Sequence, residues 1–307
     1  MASIDKTTFA GQGNCYKLSN GTVEVIAPTE IGPRILGYRF VGGENILAEL
    51  PETESVETEL GTWHVRGGHR LWHAPEGKPR SYSPDDDPVR VELIGETGIR
   101  LTQLVEPSTQ IEKEMLIQLD DEGSRVAVVH KLTNRGLWTV SLAPWALTVV
   151  RGGGVTIVPN EPFIPHTDRL LPARPMTLWN YTDLSDSRLK FGKKFTLLRS
   201  DENLKYPNKF GVANTLGWAG YLVDDMLFVK RFGFVEGAEY PDYGCNFETF
   251  TNGSFMEVES VGPLGQLEPG QSTIHIEEWY LFKGVNAGDT EESMEAAIMP
   301  FIEKTAS

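Results

Sequence analysis

The sequence predicts an all-β protein, and three observations support this prediction. Apolar and polar residues alternate with a period of two along most of the 307 residues. Turn-forming residues separate the alternating stretches at short intervals, since the chain contains 31 Gly and 19 Pro. With 40% apolar and 10% aromatic residues the chain can bury one large core, which excludes a disordered chain and a coiled coil. We expect a single domain over residues 1–307, because no shift in composition marks a boundary.

The predicted strands form a succession of hairpins. The dipeptide Asn20-Gly21 tolerates positive φ and introduces the first pair of strands. The acidic turn at 120–124, the Asp pair at 224–225 and the Pro-Gly turn at 267–270 separate later pairs in the same way. In chain order, the predicted strands are 22–26, 34–40, 112–119, 125–132, 220–222, 226–232, 254–261 and 273–282.

Two segments depart from the strand pattern. Residues 159–186 are rich in Pro, Asn, Asp and Ser, which predicts a long connection of the kind that often rims a site. Near the end of the chain, Asp289 and Glu292 form a candidate N-cap pair. The apolar residues that follow near helical spacing are Met294, Ala297, Ile298 and Phe301. We therefore expect a short C-terminal helix, which Pro300 should end or bend.

The charge balance and the cysteine content restrict the partners and the compartment. Asp and Glu outnumber Lys and Arg by 43 to 28, which gives a formal net charge of −15. A field of this sign repels phosphate backbones and anionic lipids, so we expect neither nucleic acid nor a membrane as partner. Only Cys15 and Cys245 are present, and the N-terminal segment lacks the apolar stretch of a secretory signal. These features favour a cytoplasmic protein.

The densest group of polar and aromatic residues lies at 63–77. Its histidines, arginines and tryptophans are Trp63, His64, Arg66, His69, Arg70, Trp72 and His73. Each buried imidazole or guanidinium needs hydrogen-bond partners, so this mixture is typical of the wall of a cleft. A surface hairpin with solvated histidines is the alternative.

The histidines also raise the question of a metal site. His69 and His73 have the i, i+4 spacing that places two imidazoles on one face of a helix. The glycines at 67–68 and the proline at 75 favour an extended backbone instead. In such a backbone residues four apart lie about 13 Å from each other and do not share an ion. We therefore expect no bound metal.

A pair of glutamates forms the second concentration of polar groups. In a strand, Glu257 and Glu259 project to one face, whereas Met256 and Val258 project to the other. If the glutamate face lines a cleft, repulsion and desolvation raise one carboxyl pKa toward the range of a general base. A solvent-facing side of the strand is the alternative.

Three stretches resemble the galactose mutarotase-like superfamily, which includes the aldose 1-epimerases. The first is the hairpin at 18–36, and the second is the Arg-Gly-Gly segment at 66–68 with Trp72-His73. The third and strongest is 257–263, followed by the Leu-Glu-Pro-Gly turn and the strand that ends at 282. The resemblance implies a large antiparallel β-sandwich of the mutarotase type, with the short helix at its C-terminus.

The resemblance also implies an activity, namely the interconversion of sugar anomers by general acid/base catalysis without a cofactor. Glu259 is the best match for the family's base, and Glu257 is the alternative. In place of the family's catalytic His this chain has Leu147 and its neighbours, so we expect His69 or His73 to supply the acid. The residues expected to contact the small-molecule sugar are Arg66, Arg70, Trp72, Trp145 and Glu257.

Two alternatives to this enzyme remain open. A carbohydrate-binding protein would keep the cleft and lack the acid. A metal-dependent sugar isomerase would use His64, His69 and His73 as ligands. Trp145 and Trp218 each lie beside small residues and could stack on a sugar, but packing in the core is the favoured interpretation, since buried Trp is more often a core residue.

Overall fold

The regular secondary structure of the protein consists almost entirely of β-strands; the structure is a computed structural model that describes residues 2–306. In chain order, the strands are β1 (Ser3–Phe9), β2 (Gln12–Ser19), β3 (Val23–Pro28), β4 (Arg34–Ile35), β5 (Gly37–Phe40), β6 (Ser55–Thr58), β7 (Gly61–His64), β8 (Gly68–Ala74), β9 (Arg90–Ile94), β10 (Gly98–Thr102), β11 (Ile111–Leu119), β12 (Val126–Asn134), β13 (Val140–Val150), β14 (Val155–Pro159), β15 (Met176–Leu178), β16 (Leu189–Phe191), β17 (Phe195–Arg199), β18 (Asn208–Val212), β19 (Trp218–Val223), β20 (Met226–Phe232), β21 (Phe247–Thr251), β22 (Met256–Val261), β23 (Gly265–Leu267) and β24 (Ser272–Phe282). The helical elements are a 3₁₀ turn (Arg80–Tyr82), the one-turn α1 (Pro241–Gly244) and α2 (Glu291–Lys304).

Two large antiparallel sheets face each other and form a sandwich. One has ten strands in the order β16-β17-β14-β19-β20-β24-β12-β11-β10-β9. The other has eight, in the order β15-β18-β21-β22-β13-β8-β4 with β23 beside β13. A four-stranded sheet (β1-β2-β3-β5) and the hairpin β6-β7 complete the fold. The main hydrophobic core contains side chains from both large sheets, among them Val258, Phe210, Phe228 and Trp279, and burial of this apolar surface holds the sheets together. The predicted antiparallel β-sandwich is confirmed.

The predicted strand at 34–40 is divided in two. Its first part, β4, pairs with β8 in the eight-stranded sheet, whereas β5 pairs with β3 in the four-stranded sheet. The chain changes sheets at Leu36, whose N–H donates to the carbonyl of Ile26. Alternation of side chains does not reveal such a change of partner, because both parts remain extended.

The predicted C-terminal helix forms, with two differences. Its N-cap is Thr290, whose side chain accepts a hydrogen bond from the N–H of Ser293, so the cap lies one residue after the predicted Asp289. The helix also continues through Pro300 to Lys304. Proline removes one backbone donor, but the buried face formed by Met294, Ile298 and Ile302 packs on a second apolar cluster and holds the last turn in place. Neither helix meets the length and apolarity that crossing a membrane requires.

The eight-stranded sheet has two faces with different surroundings. We call the face that packs on the ten-stranded sheet the inner face and the opposite one the outer face. Segments outside this sheet cover the outer face, since Trp63 of β7 and Tyr82 of the 3₁₀ turn pack edge-on against Trp72 of β8. From the predicted connection at 159–186, Tyr181 reaches Phe250 of β21. The outer face is therefore covered by residues from outside the sheet and from the connection at 159–186.

Candidate functional site

A row of charged side chains crosses the outer face where four strands lie side by side. The register places Arg70 of β8 beside Leu147 of β13, and Leu147 beside Glu259 of β22. Glu259 in turn lies beside Glu248 of β21. Because side chains across one sheet share a face at paired positions, these groups project together. Glu257, two residues from Glu259, projects to the same face, as the sequence predicted, and accepts a hydrogen bond from Arg70 Nη2 at 2.8 Å.

Lys209 of β18 connects the two buried glutamates. Its Nζ lies 2.6 Å from Glu248 Oε2 and 3.1 Å from Glu259 Oε2. Burial alone would lower the pKa of Lys209, but the two carboxylates outweigh it and raise that pKa well above its usual range. Burial also raises the pKa of Glu259, and Lys209 offsets only part of this effect. Two carboxylates thus share one cation in a region of low dielectric constant.

Aromatic rings line the charged row. Trp145 Nε1 donates a hydrogen bond of 2.9 Å to Glu259 Oε2. Lys209 Nζ lies 4.6 Å from the ring centroid of Trp179 and 5.0 Å from that of Trp145. The guanidinium of Arg70 lies 4.7 Å from the ring of Trp72. These cation–π contacts keep both cations inside an aromatic wall.

Tyr181 stands at the rim of this region and is 42% exposed. Burial raises the pKa of its hydroxyl, Lys209 lowers it, and Glu259 and Glu76 raise it further. On the other side, the Tyr82 hydroxyl donates to Glu76. Since charges from both sides act on one hydroxyl, these groups form one polar region on the outer face, which we call the outer-face cleft.

Several buried polar atoms in the outer-face cleft have no hydrogen-bond partner among residues 2–306. They are Trp63 Nε1, Arg70 Nε and Nη1, Glu248 Oε1 and Glu259 Oε1. Most buried polar atoms in proteins are hydrogen-bonded, and an unmade bond costs roughly 1–3 kcal/mol. Donors and acceptors without partners, collected beneath aromatic rings, are typical of a surface that receives a polar ligand.

The expectation that His69 or His73 lies beside Glu259 is wrong. Within β8 these residues alternate with Arg70 and therefore project to the inner face. His69 Nε2 lies 2.7 Å from His130 Nε2 on the ten-stranded sheet. His73 Nε2 lies 3.3 Å from Glu106 Oε2. Neither imidazole can give a proton to a ligand above Glu259.

Arg66 also differs from its predicted role. Its guanidinium forms ion pairs with Glu52, Asp85 and Asp86, which leaves it occupied with loop carboxylates. Of the other residues expected to contact a ligand, four lie in or beside the outer-face cleft, namely Arg70, Trp72, Trp145 and Glu257. Trp218 belongs to the apolar cluster under α2.

The three histidines of the proposed metal site do not converge. His64 Nδ1 pairs with Glu52 at 3.2 Å, whereas His69 and His73 contact different partners on the inner face. A different group does converge within the described chain, because ligand atoms of His69, His130 and Glu277 lie within 4.8 Å of one another. Sequence reasoning missed this group because its members come from three separate strands.

The inner-face group is already hydrogen-bonded internally. His130 Nδ1 donates to the carbonyl of His275 at 3.1 Å, so His130 Nε2 accepts from His69 Nε2. Glu277 Oε1 lies 2.8 Å from Lys230 Nζ. Two imidazole nitrogens 2.7 Å apart would have to separate to hold an ion at about 2.0–2.1 Å from each in a tetrahedral site. The group is therefore a buried polar network of the core.

Sequence analysis also missed Lys209 and Glu248. Each is the single charged residue of a short and mostly buried strand. That isolation is the only sign in the sequence of a functional position. Gly211 of β18 makes room for Glu248, since a Cβ there would lie 3.2 Å from Glu248 Cγ. Register alone brings these positions to Glu259.

No family model and no curated protein matches this chain, whereas many solved structures are similar to it. A galactose mutarotase-like protein from Lactobacillus casei superimposes with a TM-score of 0.61 at 12% identity, over 87% of this chain and 100% of that one. A galactose mutarotase related enzyme from Lactobacillus acidophilus gives 0.53 at 10% identity, over 88% and 98%.

A TPR-domain containing protein from Parabacteroides distasonis gives a TM-score of 0.60 at 11% identity, and the match covers 91% of this chain. The present chain spans about half of that protein, 49% of its length. At identities this low, the similarity establishes the architecture alone. The chain has the galactose mutarotase-like fold.

Proposed function

We propose that this protein binds a sugar in the outer-face cleft. The observation that carries the proposal is the collection of unpartnered buried atoms, Arg70 Nε and Nη1 and Glu259 Oε1, beneath aromatic rings. A sugar ring offers hydroxyl donors and acceptors along its edge and apolar C–H groups on its faces. Hydroxyls would satisfy the unpartnered atoms, while a ring face would stack on an indole. The names of the structural neighbours, which include galactose mutarotase-like proteins, support the same class of ligand.

A titration with neutral aldoses tests this proposal. We expect saturable binding of at least one pyranose by calorimetry or saturation-transfer NMR. Glu259→Gln keeps the shape of the side chain and should weaken binding by about 10- to 100-fold, because a hydrogen bond to a charged group contributes roughly 1.5–3 kcal/mol. The exposed Glu268 provides the matched control, since Glu268→Gln leaves the cleft unchanged. A folded protein that binds no aldose would refute the proposal.

A second candidate function is the interconversion of the two anomers of the bound sugar. It is favoured by Glu259, whose Oε1 is unpartnered and whose pKa is raised by burial, as a general base requires. In this mechanism Glu259 takes the proton of the anomeric hydroxyl while the bond between C1 and the ring oxygen breaks. Lys209 gives a proton to the ring oxygen. After rotation about the C1–C2 bond, the ring closes and both protons return, so that nothing is consumed.

The weak point of this second function is the proton donor. The pKa of Lys209 is held well above its usual range by Glu248 and Glu259, which makes its ammonium a poor acid. Sugar binding is therefore the primary proposal, and catalysis is tested separately. Starting from a pure α-anomer, polarimetry should show a rate above buffer that Glu259→Gln lowers by roughly 10²-fold. A wild-type rate equal to that of buffer would refute the catalytic function and leave sugar binding as the only proposed function.

A further inference from the structure

A small cavity lies at one end of the sandwich, away from the outer-face cleft. Its volume is about 250 Å³, below the roughly 300–1,000 Å³ of pockets for drug-sized ligands, so its occupant must be small. One part of its wall is apolar and contains Ile111 of β11 with Val140 and Leu142 of β13. The other part contains His73 of β8 and Arg80 of the 3₁₀ turn. A small ligand with one apolar and one polar part matches this division.

His73 contributes to the wall of this cavity and has one ring nitrogen without a partner. Its side chain is 1% exposed, and Nε2 faces Glu106 Oε2 at 3.3 Å. Burial alone would raise the pKa of Glu106, but Lys113 and His73 outweigh it and lower that pKa to about 2. Glu106 is therefore ionised and accepts the proton of His73 Nε2, which leaves Nδ1 as a bare lone pair. Nδ1 is buried and has no partner among residues 2–306.

Glu106 has two further partners besides His73. Lys113 Nζ lies 2.5 Å from its Oε1, and the Thr109 hydroxyl donates to its Oε2. The carboxylate is thus compensated within the protein and orients the imidazole. His73 consequently has one free function toward a ligand, which is to accept a hydrogen bond at Nδ1.

Arg80 supplies a positive charge to the same cavity. It donates to the carbonyl of Pro75 but has no carboxylate within 4.0 Å in the part of the chain that the structure describes. Its charge acts on His73, whose pKa burial lowers and Arg80 lowers further. In a protein with a net charge of −15, an arginine without a carboxylate partner beside a cavity favours an anion there.

We propose that this end cavity binds a small 2-hydroxy acid. The carboxylate pairs with Arg80, the hydroxyl donates to His73 Nδ1, and a short alkyl chain packs against Ile111, Val140 and Leu142. This arrangement satisfies the one unpartnered nitrogen and the one unpaired cation together. A plain carboxylic acid satisfies only the cation, and an alcohol only the nitrogen. The site is independent of the sugar-binding proposal, because its residues belong to a different region.

Calorimetry with the full chain tests the end cavity, with 2-hydroxybutyrate as the probe and butyrate as the matched ligand without a hydroxyl. We expect saturable binding of 2-hydroxybutyrate. Butyrate should bind at least about tenfold more weakly, since one buried hydrogen bond is lost. Arg80→Gln should lower the affinity for 2-hydroxybutyrate by about tenfold or more, because the positive charge is removed. Arg169→Gln, an exposed arginine outside the cavity, should bind as the wild type does.

His73→Gln tests the hydroxyl contact. The glutamine amide can still donate to Glu106 but offers no acceptor at the position of Nδ1, so the preference for 2-hydroxybutyrate over butyrate should disappear. If this variant fails to fold, the comparison of Arg80→Gln with the wild type still decides, since Arg80 is only half-buried. Equal affinities of the wild type for both ligands, no binding at all, or no effect of Arg80→Gln would each overturn the proposal.

Discussion

Acidification should destabilise the fold through the inner-face histidines, and His130 permits a quantitative expectation. Burial lowers the pKa of His130 from 6.5 to about 4, with Glu277 offsetting part of the effect. In the unfolded chain the imidazole titrates near its usual value of about 6.5. The folded protein therefore resists a proton that the unfolded chain accepts. This contribution to stability is full above pH 6.5 and is lost as the pH falls from 6.5 toward 4.

The size of the effect follows from the difference between the two pKa values. At about 1.4 kcal/mol per pKa unit, His130 accounts for about 3 kcal/mol of unfolding free energy when the whole interval is crossed. Between pH 7 and pH 5 the loss is about 2 kcal/mol. The raised carboxyl pKa values of Glu248 and Glu259 act in the opposite sense, because the folded state then binds protons more readily than the unfolded chain. The net slope of the wild type therefore mixes several groups.

A comparison of variants isolates the contribution of His130. Urea unfolding of the wild type and of His130→Gln is measured at pH 7, 6 and 5, and the free energies are extrapolated to water. The variant is less stable at pH 7, but it should lose about 2 kcal/mol less than the wild type between pH 7 and pH 5. His166→Gln, at an exposed position, should follow the wild type. Parallel curves for the wild type and His130→Gln would refute the reasoning.

Three further predictions concern other parts of the molecule. Lys209→Met leaves Glu248 and Glu259 without their cation and should reduce the unfolding free energy by about 3–5 kcal/mol in urea titrations. Lys205→Met, at an exposed position, should have little effect. Similar losses for both variants would contradict the ion-pair assignment. Ile298→Ala opens a cavity beneath α2 and should cost about 2–5 kcal/mol by the same measurement, and a loss below about 1 kcal/mol would mean that the helix packs loosely. Elemental analysis of protein purified without chelator should find no stoichiometric zinc, manganese or iron, since the inner-face network is already hydrogen-bonded; one ion per chain would contradict this expectation.

Local pattern allowed much of the architecture to be predicted. Alternation placed Glu257 and Glu259 on one face, because the face to which a side chain projects depends only on its position within the strand. The same rule, applied to β8, separates His69 and His73 from Arg70, so the error about the proton donor came from treating the histidine-rich segment as a cluster. Register between distant strands is different, since no local feature of Lys209 or Glu248 indicates that it faces Glu259. The polar network on the inner face was unpredictable for the same reason.

Strand β22 separates two charged groups by no more than the thickness of one sheet. On one side Glu259 contacts Lys209, and on the other Lys230 Nζ donates to the carbonyl of Val258 at 2.8 Å. Burial lowers the pKa of Lys230, and Glu277 and, across the strand, Glu259 offset part of this effect. A change in the charge of Glu259 should therefore alter the electrostatic potential at Lys230 inside the core. Because the charge of Lys230 in turn acts on His130, the histidine resonances in NMR spectra should report the protonation state of Glu259 through the sheet.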